Sequence, residues 1–500
     1  MGRRGAGVGR QGRLNPSREA TVDDLKSWKA LASEHRGITM ALAEFIAGLK
    51  PADVPAATRE VLEKALVDGL GCALYGLATP WGRIMREYAL DRQGPAEAAL
   101  WGGQARVSVG NSVLAAGTAI HSFDFDDHSR AKIHPGAVVL PVVLALGERE
   151  GVDGATLMAA MAAGYETMNR VSQAANPGRT RMRGWHLTGT TGTFAAAAAA
   201  SVILGLDAST TASALGLAGT QSAGLWAFTA DGGMSKRMHP GRSAEAGVTA
   251  ALLAARGFAG PRYILEAEDG SFLFGMSDSP RPGMITQGLG TTWHTDVTCF
   301  KPHSCCGSNH ACVDAALALM REHRIDLEDI DRIVAGIPSV VNTQTGFEYR
   351  ADSVLNAQMS LRYNIAVALM DGQAYLEQFT PARIVEPRVV ALSRRVDIEI
   401  DPEIDRAYPD IYGGRVTLHL RDGRTLAQRV DYSLGMPENP MPRAEIERKY
   451  MSLGTASVGE ETAGRILRLA NGLFDGPGAA ALGRALEQAT PAMQDPPAAG

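Results

Sequence analysis

From Thr39 to about residue 290, apolar residues recur three and four positions apart, in segments divided by short Gly-, Pro- or Asp-rich breaks. This spacing places apolar side chains on one face of an α-helix. The strict alternation that marks a half-buried strand is almost absent there. The first half of the chain is therefore predicted to be a large all-α domain. Its predicted helices cover residues 40–49, 59–74, 111–122, 136–150, 155–174, 192–204, 210–224 and 243–256.

The pattern changes after Trp293, where stretches with strand character begin. Residues 415–420 alternate up to Asp422-Gly423, and residues 425–432 alternate again. An Asp-Gly pair between two such runs is a strong signal for a β-hairpin. Further strands are predicted at residues 330–338 and 396–400, with helices at 312–323 and 360–371 between them. This part of the chain is predicted to be α+β.

The predicted organisation has five parts. Residues 1–35 are Arg/Gly-rich at their start and are expected to be a disordered leader. The helical domain spans 36–293 and the smaller α+β domain spans 294–433. Residues 434–480 return to helical patterning and are expected to pack on the first domain. Residues 481–500 are Pro/Ala-rich and are expected to be a frayed tail.

Net charge, apolar patterning and motifs argue against several classes of function and location. A formal net charge of -5 gives the whole molecule no electrostatic reason to bind nucleic acid or an anionic membrane. No apolar run approaches the roughly 18 residues of a membrane-spanning helix. The N-terminus lacks the apolar core of a secretory signal, so we expect a cytoplasmic protein. No G-x-G-x-x-G motif follows a predicted strand, which argues against a nucleotide-binding fold.

Four of the five cysteines lie between positions 299 and 312, together with His303 and His310. Such a group raises the possibility of a metal site. However, adjacent Cys305 and Cys306 cannot easily face one ion, and no C-x-x-C pair is present. We therefore expect reduced thiols and no metal.

The segment from His121 to His134 contains three histidines and three aspartates, at positions 124, 126 and 127. It lies between two predicted helices, and a rigid frame of that kind can aim reactive groups. A carboxylate and a histidine held together can divide the roles of acid and base. A charged connector with helix-capping aspartates is the alternative, and the density of ionisable residue types weighs against it.

Other segments could supply ligands for a carboxylate. His186 precedes a Gly- and Ala-rich helix, Lys236 lies on a Gly-flanked basic loop, and Lys301 lies at the junction of the two predicted domains. Cationic side chains of this kind bind carboxylates. Tyr363 lies in an otherwise apolar helix. The alternatives are a structural histidine, a solvated basic turn and a core tyrosine. Together the residues suggest proton transfer next to a carboxylate, followed by elimination, decarboxylation or reprotonation.

Six ordered motifs resemble the MmgE/PrpD family. They begin at Asp124 (Asp-Phe-Asp-Asp), His134 (His-Pro-Gly-Ala-Val-Val-Leu-Pro), Gly184 (Gly-Trp-His), Lys236, Lys301 and Ser360 (Ser-Leu-Arg-Tyr). The resemblance covers about residues 38–475. It implies a mainly α fold with a large helical domain and a smaller α+β lid domain, a homodimer, and catalysis without a metal or organic cofactor.

The resemblance also implies residue roles. Asp124 and His134 match the family's active-site aspartate and histidine, and Tyr363 matches a residue from the lid. We take these three as catalytic, with Asp124 and His134 as the proton-transfer pair. The residues expected to bind substrate are His186, Lys236, Lys301, His128, Arg130 and Lys132. The last three depart from better-known members and are expected to influence substrate choice.

The implied activity is that of a lyase, a dehydratase or decarboxylase, acting on a small di- or tricarboxylate such as 2-methylcitrate or cis-aconitate. An epimerase or isomerase of a dicarboxylate such as iminodisuccinate is the first alternative. A non-catalytic homologue that kept the fold is the second, and the full set of ionisable residues argues against it.

Overall fold

A computed structural model of the protein describes residues 22–92, 94–230, 232–408 and 410–493. In these ranges helices predominate and the strands form small sheets, which confirms the predicted mainly α fold with a smaller α+β part. Up to residue 276 the elements are α1 (Val22–Glu34), α2 (Ile38–Gly48), α3 (Ala56–Leu77), α4 (Pro80–Asp91), β1 (Ala98–Leu100), β2 (Ala105–Val107), α5 (Val109–Ile120), β3 (His128–Ser129), α6 (Gly136–Glu150), α7 (Gly154–Ala174), α8 (Pro177–Met182), α9 (Leu187–Ile203), α10 (Ala208–Gly219), α11 (Ser235–Ala254) and α12 (Phe272–Met276).

Small residues allow the central helices to pack closely. The alanines of α9 are fully buried between α7 and α11. At the crossing of α5 and α11, a Cβ on Gly241 would lie 2.2 Å from the carbonyl oxygen of Leu114, and a Cβ on Gly117 would lie 2.7 Å from Gly241 Cα. Any larger side chain would therefore force the two helices apart. This close crossing brings the start of α11 against the end of α5, where the predicted site segment begins.

The second part of the chain contains a four-stranded sheet in the order β6-β5-β7-β8. Strand β5 pairs parallel with β6, and β7 pairs antiparallel with both β5 and β8. The predicted hairpin is confirmed, since Gly423 takes a φ of 89° in the turn between β7 and β8. The elements are β4 (Thr298–Cys299), α13 (His310–His323), β5 (Ile330–Ile337), α14 (Ser339–Thr345), α15 (Val354–Met359), α16 (Leu361–Asp371), α17 (Pro381–Ile384), α18 (Pro387–Ser393), β6 (Val396–Ile400), α19 (Pro402–Ala407), β7 (Gly414–Leu420) and β8 (Thr425–Val430).

Two features join the first and second parts of the chain. Strand β3 pairs with β4, which places His128 opposite Cys299 just before Lys301. The last helices, α20 (Arg443–Val458), α21 (Glu460–Asn471) and α22 (Ala480–Gln488), follow the sheet. Helix α20 packs along α3, and a Cβ on Gly71 would lie 2.9 Å from Tyr450 Cα.

Two differences from the sequence-based expectations occur at the chain ends. Of the predicted disordered leader, residues 1–21 lie outside the described residues, whereas residues 22–34 form α1. Its Trp28 ring lies 6.5 Å from that of Phe274, and Ala32 is buried. Of the predicted frayed tail, residues 481–488 belong to α22, which buried Leu482 and Leu486 anchor, and residues 494–500 lie outside the described residues. Both helices are stabilised by a few apolar contacts that polar neighbours obscure in the sequence.

The predicted division at residues 294 and 434 into separate domains stays a prediction. Among the described helices, none combines the length and the apolar character that crossing a bilayer requires.

Candidate active site

A cavity of about 1390 Å³ opens between the helical part and the α+β part. Its wall includes eight of the nine predicted site residues, namely Asp124, His128, Arg130, Lys132, His134, His186, Lys236 and Lys301. These residues come from separate loops and helix ends, and they lie up to about 180 positions apart in the sequence. Small-molecule sites form preferentially in clefts between packed units, and this cleft is larger than the usual ~300–1,000 Å³.

Asp124 is fixed by the turn that follows α5. The chain passes through a short 3-10 turn at His121–Phe123, and Asp124 then adopts φ 52° and ψ 35°. Left-handed backbone is uncommon for a non-glycine residue and recurs at functional sites. The side chain of Asp124 is 8% exposed. The backbone therefore holds one buried carboxylate at the cavity wall in a conformation that most residues avoid.

Two lysines converge on this carboxylate. Lys236 Nζ and Lys301 Nζ each donate to Oδ1 of Asp124 at 2.9 Å, and Lys301 also donates to its backbone oxygen at 2.7 Å. Burial alone would raise the pKa of Asp124, but the two ammonium groups hold that pKa well below its usual range. Likewise, Asp124 raises the pKa of Lys301 against the effect of burial. Both lysines are buried, and both contact the same carboxylate oxygen of Asp124.

Asp126 lies between two histidines. His121 Nδ1 is 3.0 Å from either carboxylate oxygen, and His134 Nδ1 is 3.2 Å from Oδ2. The contact to His134 is within ion-pair distance but is not aligned as a hydrogen bond. Burial opposes ionisation of Asp126, yet the two imidazoles hold its pKa well below its usual range. On its other side, His134 Nε2 is 3.7 Å from Asp124 Oδ1. His134 thus stands between two carboxylates at the cavity wall.

His134 owes its position to the start of α6. Its backbone nitrogen donates to Thr188 Oγ1 at 3.2 Å, which ties it to α9. Two residues later, Gly136 N donates to Asp127 Oδ1, and Tyr165 donates to the other oxygen of Asp127. Asp127, the second aspartate of the Asp-Asp pair, is therefore a buried anchor for the helix that begins just after His134.

His186 pairs with a histidine from α11. Its Nδ1 lies 2.9 Å from Nδ1 of His239, so one ring must donate and the other accept. Burial, with Lys236 nearby, lowers the pKa of His186 well below its usual range and that of His239 to about 4. Both rings are therefore neutral near pH 7. Trp226 packs edge-on against His186, with ring centroids 5.3 Å apart.

The three residues expected to influence substrate choice occupy one side of the cavity. Burial, with Lys301 nearby, lowers the pKa of His128 well below its usual range, and its ring centroid is 6.2 Å from that of His134. Arg130 forms an ion pair with Glu438 at 2.6 Å. Lys132 lies 5.8 Å from the ring centroid of Tyr412, with a backbone φ of 59°. His128 is therefore the one of the three that lies beside the reactive cluster.

Tyr363 is placed differently. Its hydroxyl donates to the carbonyl oxygen of Gln378, and its ring packs against Tyr349 and Phe379. It is fully buried and does not belong to the described lining of the cavity. The alternative interpretation of this residue, a core tyrosine with a satisfied hydroxyl, matches this position.

Several residues of the site were not singled out from the sequence. Asp126 and His121 lay inside the recognised segment, but nothing in the sequence distinguished their roles from those of their neighbours. The sequence grouped Arg237 and His239 with Lys236 on an expected basic loop, and that loop was wrong: all three residues lie in the first turns of α11. Arg181, which also lines the cavity, gave no signal beyond its charge.

Four of these side chains, His121, Asp124, Asp126 and His134, could in principle surround a metal ion. One ligand atom from each lies within 4.8 Å of the others. However, Lys236 already donates to both His121 Nε2 and Asp124 Oδ1, and Lys301 donates to the same carboxylate oxygen. An ion here would have to displace two buried ammonium groups that occupy its ligands. The donor set fits a hydrogen-bonded cluster better than a metal centre.

Comparison with known proteins identifies relatives along most of the chain. The family described as the MmgE/PrpD N-terminal domain matches residues 40–283, and the MmgE/PrpD C-terminal domain matches residues 303–473. A cis-aconitate decarboxylase of Aspergillus terreus is 30% identical over 447 residues, which cover 85% of this chain and 91% of that protein. The human cis-aconitate decarboxylase is 27% identical over 88% of this chain and 92% of its own length. The mouse cis-aconitate decarboxylase is 26% identical over 92% and 95%, respectively.

Proposed function

The chain belongs to the MmgE/PrpD family, and from this premise we propose that it is a lyase that decarboxylates a small di- or tricarboxylate without a metal or organic cofactor. Cis-aconitate is the first candidate substrate, because relatives from fungi and mammals carry that activity in their names. One observation carries the proposal. Lys236 and Lys301 meet on the buried carboxylate of Asp124, with Nε2 of His134 3.7 Å from the same oxygen.

The two lysines of this cluster suit an anionic substrate. Lys236 donates to His121 and Asp124, and Lys301 donates twice to Asp124, so each ammonium group keeps one N–H donor for a substrate carboxylate. Charge-assisted hydrogen bonds from lysine to a substrate carboxylate are roughly twice as strong as neutral ones. His186 and His128 are neutral near pH 7, so they can donate a hydrogen bond without adding a further charge.

The proposed reaction balances with one proton donor. In cis-aconitate, one carboxylate is carried by a methylene group next to the double bond. When the bond between this carboxylate and the methylene breaks, carbon dioxide leaves and the electron pair forms a new double bond. The pair of the old double bond moves to the carbon beside another carboxylate, and that carbon takes a proton. Cationic groups fixed beside this second carboxylate stabilise the negative charge that develops there.

We assign the proton delivery to His134. His134 lines the cavity, its Nε2 lies 3.7 Å from Asp124 Oδ1, and its Nδ1 lies 3.2 Å from Asp126 Oδ2, a carboxylate that can orient an acid–base histidine. Asp124, in contrast, is held ionised by two lysines, which makes it a weak base. Its role is to fix Lys236 and Lys301. This assignment revises the expectation that Asp124 and His134 act together as the proton-transfer pair, and it removes Tyr363 from the reacting groups.

The proposal is tested with a panel of carboxylates, cis-aconitate, 2-methylcitrate, citrate and iminodisuccinate, followed by proton NMR in deuterated water. Decarboxylation of cis-aconitate should release carbon dioxide and place one deuterium beside a carboxylate of the product. Water loss from 2-methylcitrate would instead indicate a dehydratase, and deuterium exchange without net change would indicate an epimerase. His134→Asn is the matched control and should be inactive with each substrate. No turnover of any substrate by the wild-type protein would contradict the proposal.

Two further expectations belong to the proposal. Preincubation with a chelator should leave the rate unchanged, because the ligand atoms are already used by lysines. Light scattering coupled to size exclusion should give the mass of a homodimer, as the family resemblance predicts.

A further inference from the structure

The cationic side chains of the cavity differ in how they are neutralised. Arg130 pairs with Glu438 at 2.6 Å, and Arg350 pairs with Asp352 at 3.2 Å. Arg181 also lines the cavity, but within the described part of the chain no carboxylate lies within ion-pair distance of its guanidinium, and no hydrogen bond from its side chain is formed. A half-buried arginine without an anion leaves five N–H donors unused.

Arg181 is nevertheless held in place. Its guanidinium carbon lies 3.8 Å from the centroid of the Trp226 ring, which is within cation–π distance, and its Nε is buried. Burial lowers the pKa of Arg181 to about 10, so the group remains charged near pH 7. Stacking on an aromatic face leaves the edge of the guanidinium, with its parallel N–H groups, free to bind a carboxylate in bidentate fashion.

Trp226 links Arg181 to the reactive cluster. The Trp226 ring contacts His186 at 5.3 Å and Phe228 at 4.9 Å between centroids, and His186 stacks near His121 at 6.0 Å. Trp226 and His186 both line the cavity, so an aromatic surface lies between the lysine cluster and Arg181. A molecule that reaches both cations has an anionic group at each end and carbon between them.

We propose that Arg181 is a specificity-determining residue that binds a substrate carboxylate remote from the reacting carbon, and thereby selects tricarboxylates over dicarboxylates. The inference rests on the proposed function, because it needs one carboxylate at the lysine cluster. It assigns the second anchor point to a side chain outside the six family motifs.

Binding of two unreactive compounds tests this inference by isothermal titration calorimetry on the full chain. Tricarballylate carries three carboxylates on a saturated chain, and methylsuccinate lacks one of its terminal carboxylates. The wild-type protein should bind tricarballylate about 10–100-fold more tightly, as expected for one buried charge-assisted pair. Arg181→Met keeps the aliphatic contact with Trp226 and should reduce this ratio to about 1–3-fold, mainly through weaker tricarballylate binding.

Two further variants complete the test. Arg181→Lys keeps the charge but loses the bidentate geometry, and it should retain an intermediate preference. Arg183→Met removes an exposed arginine two positions away and should leave the preference unchanged. If wild-type protein and Arg181→Met prefer tricarballylate equally, the role of Arg181 is refuted while the proposed function stands. If the wild-type protein binds neither compound, the carboxylate site itself is refuted, and the inference with it.

Discussion

Lys236 donates a hydrogen bond to His121, with Nζ 3.1 Å from Nε2 of the imidazole. Since an ammonium group cannot accept, Nε2 of His121 must be unprotonated. The proton of the neutral ring is then on Nδ1, which faces Asp126 at 3.0 Å. Burial lowers the pKa of His121 to about 3, so this neutral tautomer persists near pH 7. The arrangement orients Asp126, the carboxylate that also faces His134.

We therefore expect Asp126→Asn to lower kcat by about 10²–10⁴-fold with a smaller change in KM, in the range found for carboxylates that orient a catalytic histidine. The amide that replaces the Asp126 carboxylate would donate a hydrogen bond to His121 or His134. It would thereby favour the tautomer of that ring in which Nδ1 is unprotonated. Steady-state kinetics measure both constants. Asp127→Asn is the matched control, because burial and Asp126 raise the pKa of Asp127 well above its usual range and its role is structural. Equal losses in both variants would contradict this interpretation.

Asp124→Asn should abolish most turnover, by about 10³-fold or more, because Lys236 and Lys301 would lose the shared carboxylate that aligns them. The two ammonium groups would then repel each other. Circular dichroism should report an unchanged helix content. Near wild-type kcat in this variant would show that the lysines are positioned by other contacts.

Tyr363→Phe should retain activity within about threefold of wild type. The hydroxyl donates to Gln378 O in the core, away from the described cavity lining, so its loss affects folding rather than chemistry. Leaving one buried carbonyl without its donor should lower the free energy of unfolding by about 1 kcal/mol. Parallel kinetics and thermal melting separate the two effects. A loss of kcat above 100-fold with unchanged melting would restore Tyr363 to the reacting groups.

The fold and most of the site were predictable from the sequence because both rest on local patterns. Helical spacing and the Asp-Gly turn identify the elements, and dense ionisable residues mark the segment around Asp124. The features of the site that could not be predicted depend on contacts between residues far apart in the sequence. The close crossing of α5 and α11 brings Lys236 within hydrogen-bonding distance of His121. Stacking on the Trp226 ring holds Arg181 at the cavity. Tyr363 matched a motif, but its rotamer points the hydroxyl into the core.

The C-terminal helix α20 supports the site loop through Lys449. Its Nζ lies 2.7 Å from Asp68 Oδ1 and donates to Phe125 O at 2.5 Å, and both charged side chains are buried. Lys449→Met would remove the cation that contacts the buried Asp68 carboxyl, and breaking a buried ion pair in this way is expected to destabilise the protein by about 3–5 kcal/mol. Thermal melting should show a clear decrease in apparent Tm. Arg448→Met is the control, since Arg448 is an exposed partner of Glu445 and should change stability by about 0.5 kcal/mol or less.

Stability should fall on mild acidification because several histidines are buried as neutral rings. Burial lowers the pKa of His239 to about 4 and that of His121 to about 3, whereas an unfolded histidine titrates near 6.5. Between these values the unfolded chain binds more protons, so the stabilisation present above pH 6.5 is lost as the pH falls. Each such histidine contributes up to about 1.4 kcal/mol per pH unit in this window. Melting at pH 7.5 and pH 5 should therefore show a lower Tm at pH 5, and His239→Gln should narrow the difference. Asp68 and Asp127 have raised pKa values and the opposite sign, so a Tm that rises on acidification would mean that these carboxyl groups dominate.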